Sequence, residues 1–400
     1  MRKPHCFGHE RVWPLCITGR TKAAGLARFR CIAEPDGGNR QHTQGGNAGL
    51  GIRETRGNLT MKKALIASTA LILTAGVAAA DVTISGYGRT GIIYQENTDA
   101  QDARGVNETQ IVSRLRMNID AATSSEQGVD FGARFRLQWD QNSSSRGSQG
   151  ELNAGKLFVT SSGLTVEVGN VDTAFDTAGL LYASELGSYD RDLVRRGTFF
   201  AYDSDRYNNQ LAQAIVDVNG DGIIDGNDVE ELSTYNGIAA RYSIAGATVR
   251  VSYIDPDQSG LIADDEELGF SVDYKWNDRL ELSGAYVMDG GGVEDNDILF
   301  LGGRYAVMEN ARVGLNYIDA SNDSDADVGD TFTLYGDYTL ADGLTNIEAY
   351  VANNDDEDNE SDNAYGIGVN YDLGGARLGA SVQRGYDERV TADMGVRFDF

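Results

Sequence analysis

The chain has 400 residues, with 34 Lys+Arg against 61 Asp+Glu and a net charge of −27. So acidic a chain repels a phosphate backbone, and nucleic acid is not an expected partner. With 41% apolar and 9% aromatic residues, wholesale disorder is excluded as well.

Residues 1–60 stand apart from the rest. All three Cys (Cys6, Cys16, Cys31), all three His (His5, His9, His42) and three of the four Pro lie there, with no sustained apolar period. At Met61-Lys62-Lys63 the character changes. A positive start leads into an apolar run over 64–77 and then Ala78-Ala79-Ala80, small enough for a signal peptidase pocket. Residues 61–80 therefore read as a secretory signal peptide, and the run falls short of the ~20 residues a membrane-spanning helix needs. Such a peptide belongs at an N-terminus. Residues 1–60 are accordingly expected to be an over-extended gene model, a genuine N-terminal extension being the alternative. The expected mature chain, 81–400, carries 22 Lys+Arg and 57 Asp+Glu, a net of −35, with no Cys and no His. It is an exported chain without a disulfide framework.

Period-two alternation then runs almost to the end. In 129–139 one face reads Val, Phe, Ala, Phe, Leu, Trp and the other Asp, Gly, Arg, Arg, Gln. Alternation over about ten residues marks a strand with two different environments. Sixteen such segments are predicted: 82–95, 109–122, 129–141, 152–161, 163–170, 234–245, 247–255, 267–276, 279–288, 298–307, 311–319, 331–340, 345–353, 363–373, 377–386 and 391–400. Short turns, such as Asn277-Asp278 and Gly374-Gly375-Ala376, alternate with long acidic gaps. A spanning strand needs about 9–11 residues, and in a bilayer a sheet must close on itself to pair every backbone group. The prediction is an all-β, transmembrane, antiparallel up-and-down β-barrel of sixteen strands, with turns at one end and loops at the other. A soluble β-sandwich or solenoid is the competing fold. It is disfavoured by polar opposite faces and by aromatics at the strand ends of the apolar faces: Tyr87, Tyr94, Trp139, Tyr242, Tyr253, Tyr274, Trp276, Tyr286, Tyr305 and Tyr317.

The last segment alternates and closes on Phe400. With the signal peptide and the opening Asp81-Val82-Thr83-Ile84-Ser85-Gly86-Tyr87-Gly88-Arg89, it resembles the general diffusion porins of the Gram-negative outer membrane, closest to the sixteen-stranded Rhodobacter-like type of α-proteobacteria. The motifs are short, and their joint order over all 320 mature residues carries the likeness. The resemblance implies a homotrimer among outer-membrane lipid and lipopolysaccharide, and recognition of the Phe400 strand by the assembly machinery. It also implies a third outer loop folded into the lumen as a constriction, which falls on 171–233, the longest gap.

Arg89, Arg114, Arg116, Arg134 and Arg136 share the polar faces of the first three strands, and Lys156 has the same parity on the fourth. Residues two apart point the same way, and burying several Arg in lipid is costly, so their side is the lumen. Opposite them the loop supplies Asp172, Asp176, Glu185, Asp190 and Asp192. The expected eyelet sets cations against carboxylates, with Arg191, Arg195 and Arg196 as rival local partners for the latter. Such a transverse field orders water and favours small polar solutes. Lumenal ion pairs that merely stiffen the barrel are the plainer alternative.

Later in the same loop, Asp217, Asn219, Asp221, the Ile223 carbonyl, Asp225 and Asp228 have EF-hand spacing, with Gly222 at the sharp turn. Asp at the twelfth position, in place of Glu, resembles the dockerin-type loop and predicts a weak structural Ca²⁺ site. A plain acidic turn is the alternative. The acidic stretches 255–267, 319–330 and 353–363 lack that spacing and are expected to be a solvated outer rim.

With neither His nor Cys in 81–400, a Ser-His-Asp triad and a Cys nucleophile are excluded, so no enzyme is expected. The functional expectation is a water-filled channel for passive diffusion of small hydrophilic solutes and ions, weakly cation-selective. The alternatives are a substrate-specific sugar or anion channel and a non-conducting structural or adhesive barrel.

Overall fold

The structure, a computed structural model, describes residues 81–141, 151–184, 186, 189, 213–215, 229–231, 236–255, 265–320, 329–357 and 359–400. Residues 1–80, and with them the expected signal peptide, lie outside it. The elements begin with β1 (Asp81–Gln95), α1 (Asp99–Ala103), β2 (Thr109–Ser124), β3 (Asp130–Gln141), β4 (Glu151–Ser161) and β5 (Leu164–Gly169). Two short strands follow, β6 (Gln213–Ile215) and β7 (Val229–Glu231). The series resumes with β8 (Asn236–Ile244), β9 (Ala247–Asp255), β10 (Glu267–Lys275), β11 (Leu280–Met288), β12 (Ile298–Met308) and β13 (Ala311–Asp319). It ends with β14 (Thr331–Thr339), β15 (Thr345–Asn354), β16 (Asn363–Asp372), β17 (Arg377–Arg384) and β18 (Val390–Asp399).

Strands β1–β5 and β8–β18 form one closed barrel in which each is antiparallel to its sequence neighbours and β1 also pairs with β18. These are the sixteen predicted strands, within a few residues at each end. β6 and β7 make a separate two-stranded sheet.

The alternation sets which face is which. Ile111, Leu157 and Leu152 lie on one side at 68%, 65% and 63% exposure. A soluble fold does not offer a continuous belt of exposed Leu, Ile and Val, whereas lipid accepts one. Tyr242, Tyr253, Tyr274, Trp276 and Tyr305 are exposed on this outer face near strand ends. Tyr87 departs from the expected aromatic belt: it stands on the inner face, with the Arg397 guanidinium 4.4 Å and that of Arg116 5.5 Å from its ring centroid. Its position near a strand end mimicked a belt residue. Its shared parity with Arg89 and its ladder partner Arg116 place it inside.

The short turns are built for reversal. Ser162-Gly163 and Ala245-Gly246 have positive φ at both positions, the two-residue geometry that matches strand twist. Asn277 Oδ1 accepts from the N–H groups of Arg279 and Leu280 at 2.8 and 3.0 Å. Between Arg134 and Arg136 the pairing of β3 with β4 shifts by one residue, a bulge that puts Lys156 opposite Arg134. Helix α1, in the first long loop, was not expected from hydrophobic pattern. It starts at Thr98, whose hydroxyl accepts from Gln101 N–H while the Gln101 side chain takes Thr98 N–H, a full capping box. The seam closes where Gly86 N–H donates to Phe400 O (2.8 Å) and Phe400 N–H to Gly86 O (2.9 Å).

Candidate functional site

From β5 the chain does not climb away from the barrel. Residues 170–184, with 186 and 189, belong to a strap that hydrogen-bonds to strand after strand. Ala174 N–H donates to Ser252 Oγ on β9 (2.7 Å) and Gly179 N–H to Asp273 Oδ1 on β10 (2.8 Å). Asn316 Nδ2 on β13 donates to Leu180 O (2.7 Å), Ser184 Oγ to Glu348 Oε2 on β15 (2.9 Å), and Tyr189 N–H to Asp393 Oδ2 on β18 (2.9 Å). A segment this short can reach β9, β10, β13, β15 and β18 only from within, so the strap lies in the lumen.

Local chemistry shapes it. Thr173 Oγ1 accepts from Asp176 N–H (2.9 Å), while Thr177 Oγ1 donates back to Thr173 O (2.8 Å), tightening a turn that presents Phe175, Leu180 and Leu181 to the wall. Phe175 and Leu181 are fully buried, against a cluster that includes Phe300, Ile318, Tyr335 and Tyr350. The wall makes room with glycine. A Cβ on Gly302 would come within 3.1 Å of the Leu180 Cβ, and one on Gly395 within 2.6 Å of the Tyr189 ring. Thus the lumen of β11–β16, unlike that of β1–β4, is lined by an apolar cushion that the strap covers.

Across from the strap stand the predicted cations. Arg89 is opposite Arg114 in the β1–β2 ladder, and Arg134 opposite Lys156 in β3–β4. Most are held by neighbours rather than left bare. Arg114 pairs with Asp140, and Arg134 grips Asp120 through Nε and Nη2 at 2.6 and 3.1 Å. Arg116 and Arg136 donate instead to neutral amides, to Gln138 Oε1 (2.6 Å) and Asn118 Oδ1 (3.2 Å). Lys156, 8% exposed, bonds both Glu167 Oε2 (3.1 Å) and Asp172 Oδ2 (3.0 Å). The wall continues past the seam to Arg397, which pairs with Arg89 and Arg377 in its two ladders. Arg377 and Arg397 are not among the predicted wall residues, although closure of the predicted barrel sets the last strand beside the first.

The predicted loop carboxylates divide. Asp172 reaches across to the basic wall through Lys156, and Asp176 is turned inward on the strap, accepting from Tyr182 Oη (2.7 Å). Glu185, Asp190 and Asp192, with Arg191, Arg195 and Arg196, lie outside the described residues, as do the calcium-loop positions Asp217, Asn219, Asp221, Ile223, Asp225 and Asp228. The carboxylates that receive the strap, Asp273, Glu348 and Asp393, come from the barrel wall and were not anticipated. Their only signal was inward parity.

Burial alone would push the Asp172 carboxyl up. The ammonium of Lys156 beside it, with Arg136 and Arg134 further off, outweighs that and holds it below the usual carboxylate range. A depressed folded-state value stabilises the strap root at pH above the ordinary value of about 4, and the contribution is lost as pH falls through the lower, folded value. The root is therefore expected to stay pinned at pH 5 and loosen only in stronger acid. Single-channel current noise recorded from pH 7 downward checks this. A rise in noise already at pH 5–6 would contradict it.

Comparison with known proteins agrees with this geometry. A family model described as Gram-negative porin matches residues 67–391. A porin of Fuscovulum blasticum is 41% identical over 326 residues, covering 80% of this chain and 100% of its own. A porin of Rhodobacter capsulatus is 26% identical over 343 residues with the same coverage. Among solved structures, a mutant of Rh. blastica porin aligns with a TM-score of 0.63 and 38% identity, over 80% of this chain and all of the other. Another with the same figures concerns the asymmetric conductivity of engineered proteins.

Proposed function

The chain belongs to the Gram-negative porin family, and on that premise we propose that its lumen is a passive, weakly cation-selective path for ions and small hydrophilic solutes, narrowed where the strap faces the basic wall. The protein is a multi-pass β-barrel channel of the outer membrane and not an enzyme. The observation that carries the finer reading is the strap itself. Carried on its apolar cushion along β11–β16, it lies on one side of the lumen, and the wall of β1–β4 carries Arg89, Arg114, Arg116, Arg134, Arg136 and Lys156. Opposed charge across such a passage favours solutes that can align their dipoles. The acidic outer loops concentrate cations at the mouth, and the basic wall moderates that preference. Planar-bilayer recording tests this: stable ohmic steps are expected, with a small reversal potential of cation sign in a KCl gradient. A silent protein would defeat the channel, and saturable transport of one sugar or anion would replace general diffusion with specificity.

Calcium binding at Asp217, Asn219, Asp221, Ile223, Asp225 and Asp228 belongs to the same reading. The all-oxygen donor set suits a hard cation. The antiparallel pairing of β6 with β7, Ile215 opposite Val229, brings together the two chain segments that flank 217–228. Calorimetry on the folded protein should detect binding at millimolar calcium, abolished by Asp221→Ala. Silence at that concentration removes the site. A trimeric assembly, export by residues 61–80 and recognition of the Phe400 strand during insertion complete the proposal, on family likeness and on the sequence.

A further inference from the structure

Beneath the root of the strap, towards the short turns, the barrel wall forms an alcove of about 350 Å³ whose lining includes Lys156, Phe158, Glu167, Asp172, Arg241 and Arg250. Its charges do not cancel locally. Glu167 and Asp172 share the single ammonium of Lys156. Arg250 is neutralised by Asp273, and Arg134, also in the lining, by Asp120. Arg241 stands opposite Arg250 in the β8–β9 ladder and opposite Thr165 in β5–β8, and makes no hydrogen bond or ion pair among the described residues. Its one acidic neighbour on β5, Glu167, is opposite Ala239, a diagonal step of roughly 7–8 Å from Arg241, and is engaged by Lys156. The alcove thus holds one surplus positive charge and one surplus negative charge, on neighbouring strands, in a recess partly shielded from bulk water.

We propose that this alcove is a binding subsite for small zwitterions of the α-amino-acid class, the solute's carboxylate on the Arg241 guanidinium and its ammonium towards Glu167 and Asp172. The proposal rests on the channel reading and deepens it by naming a solute class that the lumen retains. A plain anion would meet Arg241 but also the surplus carboxylate. A neutral polyol would satisfy neither charge. An α-amino acid carries its two charges on adjacent bonds, and the Arg and Glu side chains are long enough to close on both. Phe158, which covers Gly132 on the neighbouring strand, offers an apolar floor for a short side chain.

The test is saturation-transfer NMR on the folded, detergent-solubilised protein with serine, glycerate and erythritol as probes of similar size. Serine should give the strongest transfer. Arg241→Gln should abolish the serine signal, and Glu167→Gln should lower serine while raising glycerate, because the surplus negative charge is gone. Heat-modifiable gel mobility confirms that each variant is folded. Equal transfer from all three probes, or a serine signal indifferent to Arg241→Gln, overturns the subsite, and glycerate matching serine on the wild-type protein shows a simple anion site instead. Wild-type conductance in KCl, recorded alongside, reports on the channel independently, so a conducting protein without serine transfer loses only the subsite.

Discussion

Exchanging Arg116 and Arg136 together for Gln should make the channel distinctly more cation-selective while leaving the barrel folded. Both side chains sit on the lumenal wall and donate to amides, Gln138 and Asn118, and among the described residues no carboxylate is bonded to either. Removing two such charges beside a narrow aqueous path lowers the local potential for cations and raises it for anions. The fold loses two neutral-acceptor hydrogen bonds, at a cost of order 1 kcal/mol each. Arg114→Gln is the instructive contrast. It abandons Asp140, whose carboxylate is only 21% exposed, and so should destabilise the wall as well as alter its charge. In a tenfold KCl gradient the double variant's reversal potential should move towards the single-cation limit of about 59 mV. An unshifted potential would mean that permeating ions do not pass this wall.

The second large effect is expected from the strap. Phe175→Ala with Leu181→Ala removes two fully buried side chains from its cushion. Core truncations of this kind cost about 2–5 kcal/mol each. That loss is comparable to or larger than what the strap's hydrogen bonds to Ser252, Asp273, Asn316, Glu348 and Asp393 contribute together, at about 1 kcal/mol apiece. The barrel ladders involve neither residue, so the sheet should survive. Single-channel conductance should rise and become noisy as the strap leaves the wall, with heat-modifiable mobility on gels retained. Conductance equal to wild type in a folded double variant would show that the strap does not set the bore.

Much of this was legible in the residues. Strand number and order came from alternation, because lipid and water impose opposite preferences on successive side chains and nothing else sustains period two for so long. The cations of β1–β4 were legible for the same reason. What alternation cannot show is adjacency. Closure of the predicted barrel sets the strand of Arg397 beside that of Arg89, but Ser252, Asp273, Asn316, Glu348 and Asp393 are ordinary inward residues until a strap crosses them. Tyr87 shows the converse error. A composition rule about strand ends was followed where parity with Arg89 should have decided. Helix α1 had a readable start at Thr98 and Gln101, but its five residues are too few for a period to register.

The pair of hydrogen bonds between Gly86 and Phe400 bears on how such a chain can be made. Apart from β5–β8, which the strap-bearing segment separates, every other barrel ladder joins strands that follow one another in sequence, so hairpins can zip progressively with little loop-closure entropy to overcome. The seam alone joins the first strand to the last, and until it forms both flanking strands expose unpaired backbone groups. In hydrocarbon those edges have no water to turn to. Biogenesis therefore has an all-or-none character that the equilibrium structure conceals. A chain lacking β18 is not a slightly weaker barrel but an open sheet that the bilayer rejects, and the cell must guard those edges from synthesis until the final residue is in place.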